Sequence, residues 1–131
     1  MAHIFEITIG QETYKYNSYT IKQIKKNIRP LRRLMDGLER ESNTLVAELR
    51  QATKQEEKDD ILTKLEKNED EILGCTVDMV TLALSTQNDK FKYNTDEEKM
   101  ALRGVLEENL HLDEMDEVVK NASNPDTSTF R

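Results

Sequence analysis

The chain changes its hydrophobic period once, near its beginning, and that change constrains what can follow. Phe5, Ile7 and Ile9 share one parity and alternate with Glu6 and Thr8, before Gly10-Gln11 and a second alternation through Thr13, Tyr14, Lys15 and Tyr16. Two such runs joined by Gly-X predict a β-hairpin over residues 4–16 with a type II′ turn, because glycine accepts positive φ at the first central position. Two strands alone are marginal in water. The apolar face of the hairpin must therefore dock on helices or on strands of another chain.

From residue 20 onward the spacing is helical. Thr20-Ile21-Lys22-Gln23 has the form of a capping box, in which the threonine hydroxyl accepts an amide N–H and the glutamine reaches back. Ile21, Ile24, Ile28, Leu31, Leu34 and Leu38 then recur as a single apolar stripe. Pro30 lacks an amide donor, so the helix is expected to end or kink near Ile28-Arg29 and to resume at Pro30, giving two helical pieces rather than one straight rod. Leu45 and Leu49 carry the stripe to about Ala52, and the polar run Gln51–Asp60 is either a short connection or a solvated helical turn.

Ile61, Leu65, Ile72, Met79 and Ala83, widened by Leu62, Leu73, Val80 and Leu84, predict a broad-faced central helix that is the best buried of the set. Gly74 inside it implies a bend or the close approach of another helix, since glycine costs about 1 kcal/mol relative to alanine there. Ser85–Asn94 reads as a polar connection, and Thr95-Asp96-Glu97-Glu98 as a second capping box with acids at the positive end of the helix dipole. The fourth helix carries Met100, Val105, Leu106 and Leu110. Asp113 is expected to cap a last short helix with Met115, Val118, Val119 and Ala122 before Asn124-Pro125 stops it.

The expected fold is therefore α+β and mainly helical, an N-terminal β-hairpin packed on a bundle of four or five helices. Residues 1–123 make one domain and 124–131 a flexible polar tail. At 131 residues the chain has no room for a second full domain, and Ile, Leu, Val and Phe together number 31, enough for a lean core. No apolar run approaches the ~18 residues of a membrane span, and Met1-Ala2-His3 opens without the basic and apolar regions of a signal peptide. The expectation is a soluble protein with no membrane partner.

Charge is divided along the chain. Residues 1–50 hold nine Lys/Arg against six Asp/Glu, net +3, and residues 51–131 hold ten against twenty, net −10, giving the total of −7. An acidic total argues against a nucleic-acid partner, whose affinity comes largely from neutralised phosphates. Lys22, Lys25, Lys26, Arg29, Arg32 and Arg33 form the strongest local charge signal. They are either a solvated face that compensates the acidic half or a surface for an acidic partner or another subunit.

Catalytic signals are missing. His3 and His111 belong to no nucleophilic set, and the isolated glycines at 10, 37, 74 and 104 make no phosphate loop. The single cysteine, Cys75, has apolar neighbours and reads as a small core residue in a reducing compartment. His111, Asp113, Glu114, Asp116 and Glu117 match no zinc or calcium spacing and read as a solvated acidic helix start. No enzyme, no cofactor and no metal are expected.

Two blocks resemble the tail assembly chaperones of long-tailed bacteriophages. One runs from Ile7-Thr8-Ile9-Gly10-Gln11-Glu12-Thr13-Tyr14 into Tyr19-Thr20-Ile21-Lys22-Gln23-Ile24-Lys25-Lys26-Asn27-Ile28-Arg29-Pro30-Leu31; the other joins Val80-Thr81-Leu82-Ala83-Leu84-Ser85 to Leu110-His111-Leu112-Asp113-Glu114-Met115-Asp116-Glu117-Val118-Val119. The resemblance spans about residues 4–34 and 72–124, and the charged stretch 40–70 departs from it as a lengthened helical insertion. It implies a non-enzymatic factor in the cytoplasm of the infected cell. Such a factor binds the tape measure protein, keeps it soluble, recruits tail tube subunits and is absent from the mature virion. The alternative from the residues is a small acidic phage regulatory or adaptor protein that inhibits a host factor. The basic stretch against the acidic remainder also implies a homo-oligomer.

Overall fold

The computed structural model describes residues 4–123, so the expected tail at 124–131 and His3 lie outside the described residues. Strands β1 (Ile4–Ile9) and β2 (Glu12–Asn17) pair antiparallel, with Phe5 opposite Tyr16 and Ile7 opposite Tyr14. Gly10 has φ +66° and Gln11 a non-positive φ, the sign pattern of a type II′ turn. Phe5 and Tyr16 stack with ring centroids 5.4 Å apart.

The chain then runs through α1 (Ile21–Gln23), a π-helical turn (Ile24–Ile28), and α2 (Arg29–Gln51) without leaving helical geometry. Thr20 Oγ1 accepts the Gln23 N–H at 3.1 Å and Gln23 Oε1 accepts the Thr20 N–H at 2.9 Å, which completes the capping box. Pro30 does not divide the helix into two pieces. The wide turn absorbs it: the Arg29 N–H bonds back five residues to the Ile24 carbonyl, and the proline follows at the start of regular helix.

One extra residue in a turn rotates the segment before it by about 100° relative to the segment after it. The expected single stripe from Ile21 to Leu38 loses Ile21, which precedes the wide turn, and separately Leu34, which lies off the Leu31–Met35–Leu38 line within α2. Ile21 is 73% exposed and Leu34 51% exposed, while Ile28 and Leu38 are buried and Met35 packs against the core.

Helix α3 (Gln55–Ser85) returns along α2 after the short connection 52–54, so the polar run 51–60 is part loop and part helix. At about 1.5 Å per residue it is ~46 Å long. Between residues 31 and 52 only Leu31, Met35, Leu38, Ser42, Leu45, Leu49 and Ala52 are sheltered; between 58 and 68 only Lys58, Ile61, Leu65 and Asn68 are. These intervals of three and four define a coiled-coil seam. The outer part of the α2–α3 pair is thus a two-helix arm with one narrow apolar line. Leu62, expected on the broad face, is exposed, and α3 becomes fully buried only in its second half. Its seam contains one polar layer, in which the buried Asn68 donates to Ser42 Oγ at 3.4 Å.

The main core gathers on that second half. Val77, Val80, Ala83 and Leu84 are covered by the hairpin, by α4 (Asp96–Asn109) through Leu106, and by α5 (Leu112–Ser123) through Met115, Val118 and Ala122. The hairpin is tied to helices: Asn17 N–H donates to Thr86 Oγ1 at 2.9 Å, and Asn121 Nδ2 donates to the Tyr16 hydroxyl at 3.2 Å. The connection after α3 is not merely polar. A 3-10 turn (Asp89–Phe91) inserts Phe91, 1% exposed, beneath the hairpin, where the Tyr14 ring meets it edge-on at 5.2 Å.

Two further expectations need correction. Met100 and Val105 are exposed on α4, because the face that meets α3 passes through Leu102, Leu106 and Leu110. Asp113 is not the cap of α5; it lies inside the first turn, and Glu114 Oε1 instead accepts the N–H of His111, the residue before the helix. Thr95 caps α4 by accepting the Glu98 N–H at 3.2 Å. At Gly74 helix α3 runs on unbroken, and the expected approach of another helix is made there by a side chain. The close neighbour is the Arg103 guanidinium of α4, 3.7 Å from where a Cβ would stand.

Candidate functional site

Among the described residues, open clefts lie on either side of the second half of α3, and two of them matter here. The first lies between α2, α3 and α5, with a volume of about 470 Å3; Met35, Met79 and Val119 form its apolar floor, and Arg32, Asp36, Glu39, Asp116 and Lys120 its charged rim. The second lies between the start of α2, α3 and the segment entering α4, with a volume of about 530 Å3. Leu31, Leu82 and Tyr93 supply its apolar surface over the buried Phe91, and Lys26, Lys92 and Lys99 its basic rim.

The electrostatics of this second, lysine-rimmed cleft depend on Asp78. Arg103 donates to both of its oxygens, Nε to Oδ1 at 2.9 Å and Nη2 to Oδ2 at 2.7 Å, and Lys99 Nζ stands 3.5 Å from Oδ2. The hydrogen bonds it donates to Asp78 push the Arg103 guanidinium further up from its already high pKa. Two cations thus meet one carboxylate, which leaves the cleft net positive. Lys92 forms an exposed ion pair with Asp89 at 2.9 Å, and Lys26 has no ion-pair partner among the described residues.

The six basic residues singled out in the sequence are all exposed, and the fold divides them. Lys26 joins the lysine-rimmed cleft. Arg32 joins the methionine-floored one and donates to Ser123 Oγ at 2.9 Å. Lys22, Lys25, Arg29 and Arg33 line neither cleft.

Cys75 is buried, and burial, followed by the nearby Asp78 charge, pushes its thiol pKa up. That is the opposite of what a nucleophile needs. Among the described residues no three His, Cys, Asp or Glu side chains stand close enough together to hold a metal ion. No described helix is long and apolar enough to cross a membrane.

Sequence reasoning missed Met35, Phe91, Lys92, Tyr93 and Lys99. A signal did exist for three of them, because Lys90-Phe91-Lys92-Tyr93 alternates basic and aromatic residues inside a polar stretch. Among known proteins, no family model, curated protein or solved structure matches the chain.

Proposed function

We propose that the chain is an assembly chaperone of a bacteriophage tail. In this reading it binds the tape measure protein, keeps it soluble, recruits tail tube subunits, acts in the cytoplasm of the infected cell and does not enter the virion. The observation that carries the reading is the methionine-floored cleft between α2, α3 and α5. Thioether side chains have no branching and three rotatable bonds, so Met35 and Met79 can adapt to apolar side chains of different shape. A rim of both charge signs suits amphipathic helices without selecting one sequence. A long helical partner that aggregates until it is enclosed needs a cover of this kind, and the charged outer faces keep the complex dispersed.

The resemblance of residues 4–34 and 72–124 to tail assembly chaperones supports the same role. The rival reading, an acidic adaptor that mimics a charged partner, has less support. Exposed acids are spread over α2, α3, α4 and α5 among the described residues rather than collected on one element.

The test is co-expression with the tape measure protein of the same genome. The chain is expected to move that protein from the pellet to the supernatant and to co-purify with it. The exposed rim substitutions Asp36→Lys and Asp116→Lys are expected to weaken this without loss of helical circular dichroism. A tape measure protein equally insoluble with and without the chain overturns the reading.

A further inference from the structure

The lysine-rimmed cleft has a counterpart elsewhere on the same molecule. On the arm, Asp59, Leu62, Glu66 and Glu69 recur at intervals of three, four and three, so they share one outward face of α3. All four are exposed, and Leu62 is 45% exposed with no place in the α2–α3 seam. One apolar side chain among three carboxylates thus faces solvent, and elsewhere three ammonium groups surround an apolar floor. Asp78, the one acid lining that cleft, is already engaged by Arg103 and Lys99.

We infer that a second copy of this chain lays the Asp59–Glu69 face of its arm into the lysine-rimmed cleft of the first. Leu62 covers the floor of Leu31 and Leu82 beside Tyr93, and the carboxylates meet Lys26, which has no ion-pair partner among the described residues, and Lys92, whose pair with Asp89 is open to solvent. The arm reaches the cleft because its outer half extends beyond the main core, where only α2 accompanies it. The two surfaces differ, so the contact is heterologous, and each bound copy presents a free cleft or a free arm to the next. The contact is small, which makes the association weak and charge-driven. It does not depend on the chaperone reading.

Light scattering of the full chain decides the matter. At low salt the mean mass is expected to rise with concentration above the 15.2 kDa of one chain. It should return to that value near 1 M salt, where the screening length is about 3 Å. The cleft variant Lys26→Ala/Lys92→Ala and the arm variant Leu62→Ser/Glu66→Gln/Glu69→Gln should each remain monomeric. Their mixture should form a one-to-one pair and stop there, because only one intact arm and one intact cleft remain. Every substituted side chain is exposed, so helical circular dichroism should be unchanged. A native chain that stays monomeric at low salt and high concentration overturns the inference, as do variants that associate like the native chain.

Discussion

Arg103 reaches from α4 across Gly74 to hold both carboxylate oxygens of Asp78 on α3, at 2.9 and 2.7 Å. The pair is partly shielded from water, and its bonds are charge-assisted, so it contributes more than a surface ion pair. Asp78→Ala should lower stability by about 1–3 kcal/mol, since it leaves the partly buried Arg103 guanidinium without its charged partner. Gly74→Ala should go the other way. The added methyl would stand 3.7 Å from the guanidinium, an ordinary contact, and would gain up to ~1 kcal/mol of helix propensity. Urea unfolding of the two variants measures both signs.

The Asn68–Ser42 layer interrupts the arm's apolar seam. A buried polar pair of this kind contributes little net stability and penalises other alignments of the two helices. Replacing both residues with leucine should raise the melting temperature. It should also permit slipped or intermolecular pairings of the arm, visible as broadened arm resonances in NMR spectra.

Phe91 holds the hairpin to the helices through its edge contact with Tyr14 and its complete burial. Phe91→Ala should cost about 3–5 kcal/mol. Hydrogen exchange should show the β1–β2 amides losing protection before those of α3.

Tyr19 donates its hydroxyl to the Met79 carbonyl at 2.6 Å, and burial raises its pKa well above the ordinary value of 10. Tyr16 is raised by burial as well, an effect partly offset by its hydrogen bond to Asn121. A phenol whose folded pKa exceeds its unfolded one stabilises the fold fully below about pH 10 and loses that contribution as pH rises further. Alkaline titration should therefore show phenolate absorbance from these two residues appearing together with the loss of helical circular dichroism. Tyr19→Phe should shift that transition to higher pH, at a cost near neutrality of about 1 kcal/mol for the lost hydrogen bond.

Cys75 should react with thiol reagents only as fast as the fold opens, since it is buried and its thiol is held protonated. Alkylation followed by mass spectrometry should accelerate sharply on adding denaturant. Rapid labelling under native conditions would contradict the packing described for α3.

The candidate sites were only partly legible. The basic cluster from Lys22 to Arg33 is obvious in the sequence, yet only Lys26 and Arg32 line the two clefts, because the cluster spans a π turn whose extra residue redirects its side chains. Lys92 and Lys99 complete the lysine-rimmed cleft from a segment more than sixty residues away. No local pattern connects them to Lys26. They meet because Phe91 docks under the hairpin and carries Lys92 and Tyr93 to the side of α3.

What the sequence determined by itself is what neighbouring residues decide among themselves. Gly10 permits the positive-φ turn, Thr20 and Thr95 satisfy amides within their own helix starts, and the period-two and helical runs set the class of each element. Tertiary structure decided which apolar residues those elements bury. Ile21, Leu34, Leu62, Met100 and Val105 are as hydrophobic as the residues that reached the interior, and all five face solvent. Burial depends on the line along which another helix approaches, and that line follows from the wide turn before Pro30, the narrow seam of the arm and the insertion of Phe91.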